Sequence, residues 1–341
     1  METRKVQLSG GTTFTVSLPK SWATEQNISS GSVLYLHPEN DGTLLVEVQS
    51  QQTEETHSKR LDVSGYDEEM FAETVKSMYL VGVDRLVLVD KNGHGEERLR
   101  TATTLTAGLS GLELLETSDT KVVFENLIDP SSISVRKSVL RLKLVALAMY
   151  RDAVRAVADA DADLAAQVVE RDTEADKLFS LVSRQFRRAL DDLQTVEELG
   201  TTRSELYEYY HTARQLERVG DHATKTANLV RERGDDLVDV DTEEFARLAD
   251  ESRRVVGRAA DVVLTDVDAT TGFAVLSDAT TLDDDAAELD RELYDREDAD
   301  GAYVVGLLLD SVRRTARYGR NIAEVGIQGV LRAQDDSRYE R

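Results

Sequence analysis

The chain has 341 residues, a formal net charge of −24 and no cysteine. The missing thiols exclude disulfides and thiolate chemistry, and the charge disfavours non-specific attraction of the whole chain to nucleic acid or to an anionic membrane. No apolar run reaches the ~20 residues that cross a bilayer, and the first residues lack the layout of a signal peptide, so we predict a cytoplasmic protein with no membrane insertion.

Residues 1–50 predict a small β domain built from two hairpins and one short helix. Paired glycines and an Asn-Asp-Gly sequence mark the two hairpin turns, and Pro19 suits the first position of a helix. About fifty residues of this kind bury little core alone, so dimerisation is expected. The elements are strands 6–8 and 14–18 around Gly10-Gly11, helix 20–26, and strands 33–36 and 44–48 around residues 40–42.

Residues 58–129 predict a small α+β domain, because apolar strand patterns alternate with helical ones. Polar residues 51–59 before it have the composition of a linker, and the sequence Asp129-Pro130 marks its end. The predicted elements are strand 60–63, helix 67–81, strand 85–90, helix 96–107 and strands 112–116 and 122–127.

Residues 131–335 predict an all-α domain, because no proline follows Pro130 and apolar residues such as Leu140, Leu144 and Ala148 recur at helical spacing. Residues 156–161 and 263–268 echo one another, which indicates a duplicated helical bundle. The expected breaks, which leave about six long helices, lie near Ala160, Gly200, Gly234, Ala279 and Gly301.

Two acidic pairs in this helical region suggest a site. Glu217 and Asp221 are four residues apart, as are Asp172 and Asp176, so each pair shares one face of its helix. Like charges at this spacing repel, and a cation held by hard oxygen ligands would compensate them. The alternative is a solvated acidic face, which spacing alone favours in so acidic a chain.

The run Leu216–Ala223, within this proline-free helical region, resembles the signature helix of the phosphate-uptake regulator (PhoU) family, over about residues 135–335. The resemblance implies duplicated three-helix bundles whose Glu/Asp-x-x-x-Asp motifs bind iron or zinc. It therefore favours the metal site over the solvated face. The implied ligands of a divalent or ferric ion are Asp172, Asp176, Glu217 and Asp221.

The second half of the helical region departs from this pattern. Aligning Gly319 with Gly220 places Ala316 where Glu217 stands and Arg320 where Asp221 stands. An acidic pair is thus replaced by a neutral and a basic residue. We therefore expect metal in the first helical repeat only, and we expect Arg320 to form ion pairs with residues 283–285.

The β domain resembles the AbrB/SpoVT-like swapped-hairpin family, whose intertwined dimers present basic loops to DNA. Arg4, Lys5 and Lys20 are the matching basic positions and the only Lys or Arg residues in the first fifty. The motif positions outside the cations are Gly10-Gly11, Leu18-Pro19, Ile28, Gly31 and Leu44–Val46. Other positions that are often basic in the family are uncharged here, so the alternative is a pure dimerisation module.

Together these observations predict a multidomain homodimer that regulates phosphate uptake, with a DNA-binding role for the β domain. The alternative is an accessory protein of a phosphate transporter that acts by protein–protein contact. Expected partners are components of that transporter or their sensor kinase. No nucleophile–base pair and no HExxH motif occurs, so we do not expect an enzyme.

Overall fold

The computed structural model describes residues 2–38, 42–48, 57–233, 243–265, 267–293 and 299–339, without the side chains of 299, 300 and 335–339. Contacts within the chain divide it into two compact units, Met1–His57 and Ser58–Arg341. The predicted turn at residues 40–41, most of the predicted linker and the predicted break at Gly234 lie outside the described residues.

The first unit contains two antiparallel hairpins. Strands β1 (Gln7–Ser9) and β2 (Thr13–Thr15) pair with Leu8 opposite Phe14, and the turn between them holds Gly10 and Gly11 at φ +63° and +81°. Glycine suits this left-handed region because it has no Cβ atom. Helix α1 (Lys20–Glu25) separates them from strands β3 (Leu34–Pro38) and β4 (Leu44–Val48).

The second unit begins with a four-stranded sheet in the order β5-β6-β8-β7. Strands β5 and β6 are parallel and joined through a helix, and the remaining pairs are antiparallel. The predicted linker ends earlier than expected, because Ser58 and Lys59 already belong to β5. The elements are β5 (Ser58–Asp62), α2 (Glu68–Leu80), β6 (Arg85–Val89), α3 (Gly95–Gly108), β7 (Leu112–Thr117) and β8 (Lys121–Asn126).

The rest of the second unit is helical and contains six long helices and one short one among the described residues. Helices α4, α5 and α7 contact one another, as do α8, α9 and α10, and α7 also packs on α10. No described helix is both long and apolar enough to cross a membrane. The helices are α4 (Val135–Asp159), α5 (Ala162–Asp191), α6 (Leu193–Leu199), α7 (Arg203–Arg233), α8 (Glu243–Leu264), α9 (Ala269–Glu292) and α10 (Ala299–Tyr339).

Two of the predicted helix breaks have a local chemical cause. Ala160 and Gly200 end α4 and α6 in the left-handed conformation, which stops a helix. The predicted break at Ala279 is wrong, because this residue is buried inside the continuous helix α9. The preceding helix ends at Leu264 instead, and Asp268 caps the start of α9 by accepting from the backbone N–H of Thr270.

The apolar stripe of α4 that faces the core also differs from the predicted one. Leu140 and Leu144 are 41% and 63% exposed, whereas the buried stripe runs through Val139, Leu142 and Ala146. Helix α5 packs on two sides, against α4 and α7 of the bundle and against α2 and α3 of the α+β part. This double packing positions the acidic residues of α5.

Candidate metal centre

Helices α5 and α7 come very close together at Gly220. A Cβ atom at this position would lie 3.6 Å from the Cβ atom of Ala175 on α5 and 3.9 Å from Oδ1 of Asp172. Both distances are ordinary van der Waals contacts, so α7 packs directly against the side chains of α5 at this position. Acidic residues on either side of this crossing are therefore brought toward one point.

Three of the four predicted metal ligands converge at this crossing. Asp172 and Asp176 on α5 and Asp221 on α7 each offer a carboxylate oxygen, and the three oxygens lie within 4.8 Å of one another. Asp172 is half-buried, whereas Asp176 and Asp221 reach solvent. Residues from two helices thus form one cluster, and the four-residue spacing of Asp172 and Asp176 places both carboxylates of α5 on the same face.

The cluster makes its own ionisation unfavourable. Partial desolvation, followed by the charges of Asp172 and Asp221, raises the pKa of Asp176 to about 6. Desolvation also raises the pKa values of Asp172 and Asp221, and the Asp172 charge adds to the shift at Asp221. A bound cation would reverse these shifts, because it favours the ionised carboxylates.

The fourth predicted ligand, Glu217, lies beside the cluster and not within it. Its carboxylate accepts hydrogen bonds from Nη1 of Arg214 at 3.2 and 3.3 Å. Burial, then the neighbouring charge of Asp221, raises the pKa of Glu217 to about 7 despite the arginine. The charge of the cluster therefore acts on Glu217, although the Glu217 carboxylate is hydrogen-bonded to Arg214.

Cations that the sequence patterns do not single out surround the cluster. Arg214 and Arg218 precede Asp221 on α7, and their charges lower its pKa against the larger upward shift. The spacing of Arg214 three residues before Glu217 could have revealed that pair. The charge of Lys76 on helix α2 lowers the pKa of Asp176. Spacing could not have revealed this cation, because it lies one hundred residues earlier in the sequence.

The donor set fits a hard or borderline metal ion. Carboxylate oxygens are the ligands of Ca²⁺ and Mg²⁺ and also bind Zn²⁺ at about 2.0–2.2 Å. Oxygens around an ion at that distance are at most about 4.4 Å apart. The three oxygens lie within 4.8 Å of one another, which is close to the separation that binding one small ion needs.

The corresponding helix of the second half has different chemistry. Ala316 is buried, and Arg320 is bonded through Nε to Glu324 at 3.0 Å. The predicted pairing of Arg320 with residues 283–285 is thus wrong. Asp283 instead accepts from Nε of Arg313 at 2.8 Å and lies 3.6 Å from Arg317.

The predicted DNA-contacting residues lie near the start of the first unit. Arg4 and Lys5 are in the exposed segment before β1, and Lys20 is the exposed first residue of α1. The guanidinium of Arg4 is 2.8 Å from the carboxylate of Glu2. This pair reduces the local positive charge, and the role of the three cations stays a prediction.

Residues 139–230 match the PhoU domain family. The matched range contains all four predicted metal ligands and the glycine at the helix crossing. Among solved structures, the chain is similar to PhoU from Pseudomonas aeruginosa, with 26% identity over 58% of this chain and 96% of that chain and a TM-score of 0.52. These two findings support the PhoU family for the helical region.

A second solved structure is the phosphate transport system regulatory protein PhoU from Streptococcus pneumoniae. It is 19% identical over 57% of this chain and 91% of that chain, with a TM-score of 0.48. No curated protein sequence matches the chain. The predicted similarity of residues 1–50 to the AbrB/SpoVT-like family is not confirmed by the comparisons.

Proposed function

We propose that the chain regulates phosphate transport through its PhoU-like helical region and performs no catalysis itself. The observation that carries the proposal is the carboxylate cluster at the α5–α7 crossing, inside the residues that match the PhoU domain. The similarity to a PhoU structure over 58% of the chain supports it. The regulated partner is a component of a phosphate transporter or its sensor kinase, reached by protein–protein contact.

The cluster binds a divalent or ferric metal ion, iron or zinc, in this proposal. Asp172, Asp176 and Asp221 hold the ion, and Glu217 joins them when it leaves Arg214. A bound ion would supply the positive charge that offsets the repulsion among the carboxylates. It would also link α5 to α7 at the point where the carboxylates of the metal-free protein repel one another.

Phosphate uptake in cells tests the regulatory role. The chromosomal gene is replaced by the variant Asp172→Asn/Asp221→Asn, and the rate of phosphate uptake is measured in phosphate-rich and phosphate-poor medium. We expect the two rates to become more alike, because a protein without the carboxylate cluster no longer regulates uptake. The control is Glu170→Gln, which removes an exposed charge from the same helix outside the cluster. Normal regulation in the double variant would count against the proposal.

The first unit supplies dimerisation in this proposal. None of its described residues is buried, and several of its large apolar side chains are open to solvent, with Phe14 at 74%, Val6 at 63% and Leu8 at 61%. So much exposed apolar surface on a small unit is typical of a surface that a partner covers. A second copy of the same unit is the occupant that the two-hairpin pattern favours.

DNA binding by the dimer is the finer hypothesis, and it rests on Arg4, Lys5 and Lys20. The triple variant to Ser should abolish a retarded complex with DNA from upstream of phosphate genes, because phosphate contacts supply most of such affinity. A matched control replaces three cations of the α+β part, Lys91, Arg100 and Lys121, with Ser. Equal retention by the first variant and the wild type would leave transporter contact as the function.

A further inference from the structure

The second half of the bundle contains a cavity of about 470 Å³ between α9 and α10. It lies outside the residues that match the PhoU domain and far along the chain from the carboxylate cluster. Three arginines of α10 line one wall, Arg314, Arg317 and Arg320, and Asp283 and Asp284 of α9 lie in the opposite wall. One surface of the cavity is therefore cationic and the other is acidic.

The arginines are held in place but keep donors for a ligand. Nε of Arg314 donates to Asp310 at 2.9 Å, and Nε of Arg320 donates to Glu324 at 3.0 Å. Each of these bonds uses one edge of the guanidinium and leaves Nη donors of the planar fork for another partner. Arg317 is 58% exposed in its side chain and lies 3.6 Å from Asp283, a long ion pair.

The acidic wall limits which anions this cavity can accept. Asp283 is already bound by Arg313 at 2.8 Å, whereas no hydrogen bond or ion pair of the exposed Asp284 side chain is seen within the described residues. A fully ionised oxyanion such as sulfate would be repelled by Asp284. Phosphate at neutral pH still carries a hydroxyl group, which can donate to a carboxylate while its other oxygens accept from arginines.

We propose that this cavity binds a protonated phosphate group. Arg317 and Arg320 bind its ionised oxygens, Arg314 adds charge at the rim, and Asp284 accepts the phosphate hydroxyl. The ligand is inorganic phosphate or the terminal group of a phosphomonoester, since the cavity is larger than one oxyanion. The protein would then carry its phosphate site in one half of the bundle and its carboxylate cluster in the other.

Calorimetric titration of the full-length protein tests this proposal. The protein is first freed of metal with a chelator, so that phosphate bound to a metal ion cannot contribute, and inorganic phosphate, sulfate and glycerol 3-phosphate are then titrated in low salt. We expect phosphate to bind and sulfate to bind about tenfold more weakly or not at all, because a charge-assisted hydrogen bond is lost. Comparison of phosphate with glycerol 3-phosphate identifies the source of the phosphate group.

Three variants make the assignment specific. Arg317→Gln/Arg320→Gln should weaken phosphate binding by about tenfold or more, and Asp284→Asn should remove the preference for phosphate over sulfate. Arg155→Gln is the control, since Arg155 forms a similar exposed pair with Asp159 in the first half. Circular dichroism verifies that each variant is folded.

Each result of the titrations decides one part of the proposal. No phosphate binding at millimolar concentration, or unchanged affinity in the double arginine variant, would overturn the proposal. Equal affinity of the wild type for sulfate and phosphate would overturn the assignment of Asp284. None of these results bears on the uptake assay with the Asp172→Asn/Asp221→Asn variant, so regulation by the carboxylate cluster can fail or stand independently.

Discussion

Arg184 of α5 donates from Nη1 to the backbone carbonyl oxygen of Tyr79 at 2.6 Å, and its guanidinium carbon lies 4.9 Å from the centre of the Tyr79 ring. The same nitrogen donates to the carbonyl oxygen of Val83 at 3.0 Å, and Asp84 supplies the countercharge. Arg184 is 1% exposed. The α+β part is thereby bound to the helix that carries Asp172 and Asp176.

Replacing Arg184 with Met should loosen the α+β part from the bundle. The change removes a buried donor to the Val83 carbonyl oxygen and one of two donors to the Tyr79 carbonyl oxygen, while Arg188 still pairs with Asp84. Loss of a buried hydrogen-bond partner of this kind costs about 1–3 kcal/mol. Hydrogen exchange in residues 58–128 should increase by about tenfold or more, since 1.4 kcal/mol corresponds to a factor of ten. The control is Arg187→Met on the exposed side of α5. Equal exchange in both variants would contradict the role of the buried bonds.

Local sequence signals account for many of the helix ends and for the two aspartates that share one face of α5. Asp67 and Asp161 cap helices by accepting backbone N–H bonds, and the four-residue spacing predicts which carboxylates share a face. The failures are also local. Ala279 was expected at a break, but alanine is the best helix former, and Leu144 belongs to an apolar stripe that faces solvent.

Long-range packing could not be predicted from the sequence. Arg184 bonds to a residue 105 positions away, and no periodicity connects these positions. The effect of Lys76 on the pKa of Asp176 is likewise long-range, because it depends on the packing of α2 against α5. Patterns identify the face of a helix, whereas the partner of that face depends on how separate elements dock.

Metal binding should depend most on the three clustered aspartates. Asp221→Asn removes a carboxylate from the trio, whereas Glu217→Gln removes one that is bound to Arg214. We expect about a tenfold loss of metal affinity for Glu217→Gln, as for residues that support ligands, and a larger loss for Asp221→Asn. Metal analysis after dialysis of the wild type and both variants measures this. Equal metal content in all three proteins would count against the site.

The metal-free protein should lose stability as the pH rises. The pKa values of Asp176 and Glu217 are raised to about 6 and about 7 in the folded state, mainly by desolvation. The folded protein therefore holds protons that the unfolded chain releases, so this stabilisation is full below about pH 4 and is lost as the pH passes through about 6 to 7. In chelator, Tm should fall more steeply from pH 5 to 8 in the wild type than in Asp176→Asn/Glu217→Gln. Parallel pH profiles would refute the shifts.

Phe14 should mark the interface that joins two copies of the chain. Its side chain is 74% exposed on β2, where a charge would cost little in a monomer but would disrupt a covered apolar surface. Phe14→Asp should therefore weaken the dimer by about tenfold or more, since a buried Phe side chain contributes about 1.5–3 kcal/mol. The matched control is Thr12→Asp, which places the same charge in the exposed turn. Light scattering across a dilution series gives the dissociation constant.

The shortened chain 58–341, which keeps β5 intact, should be monomeric. A dimer of that shortened chain at micromolar concentration would place the interface elsewhere.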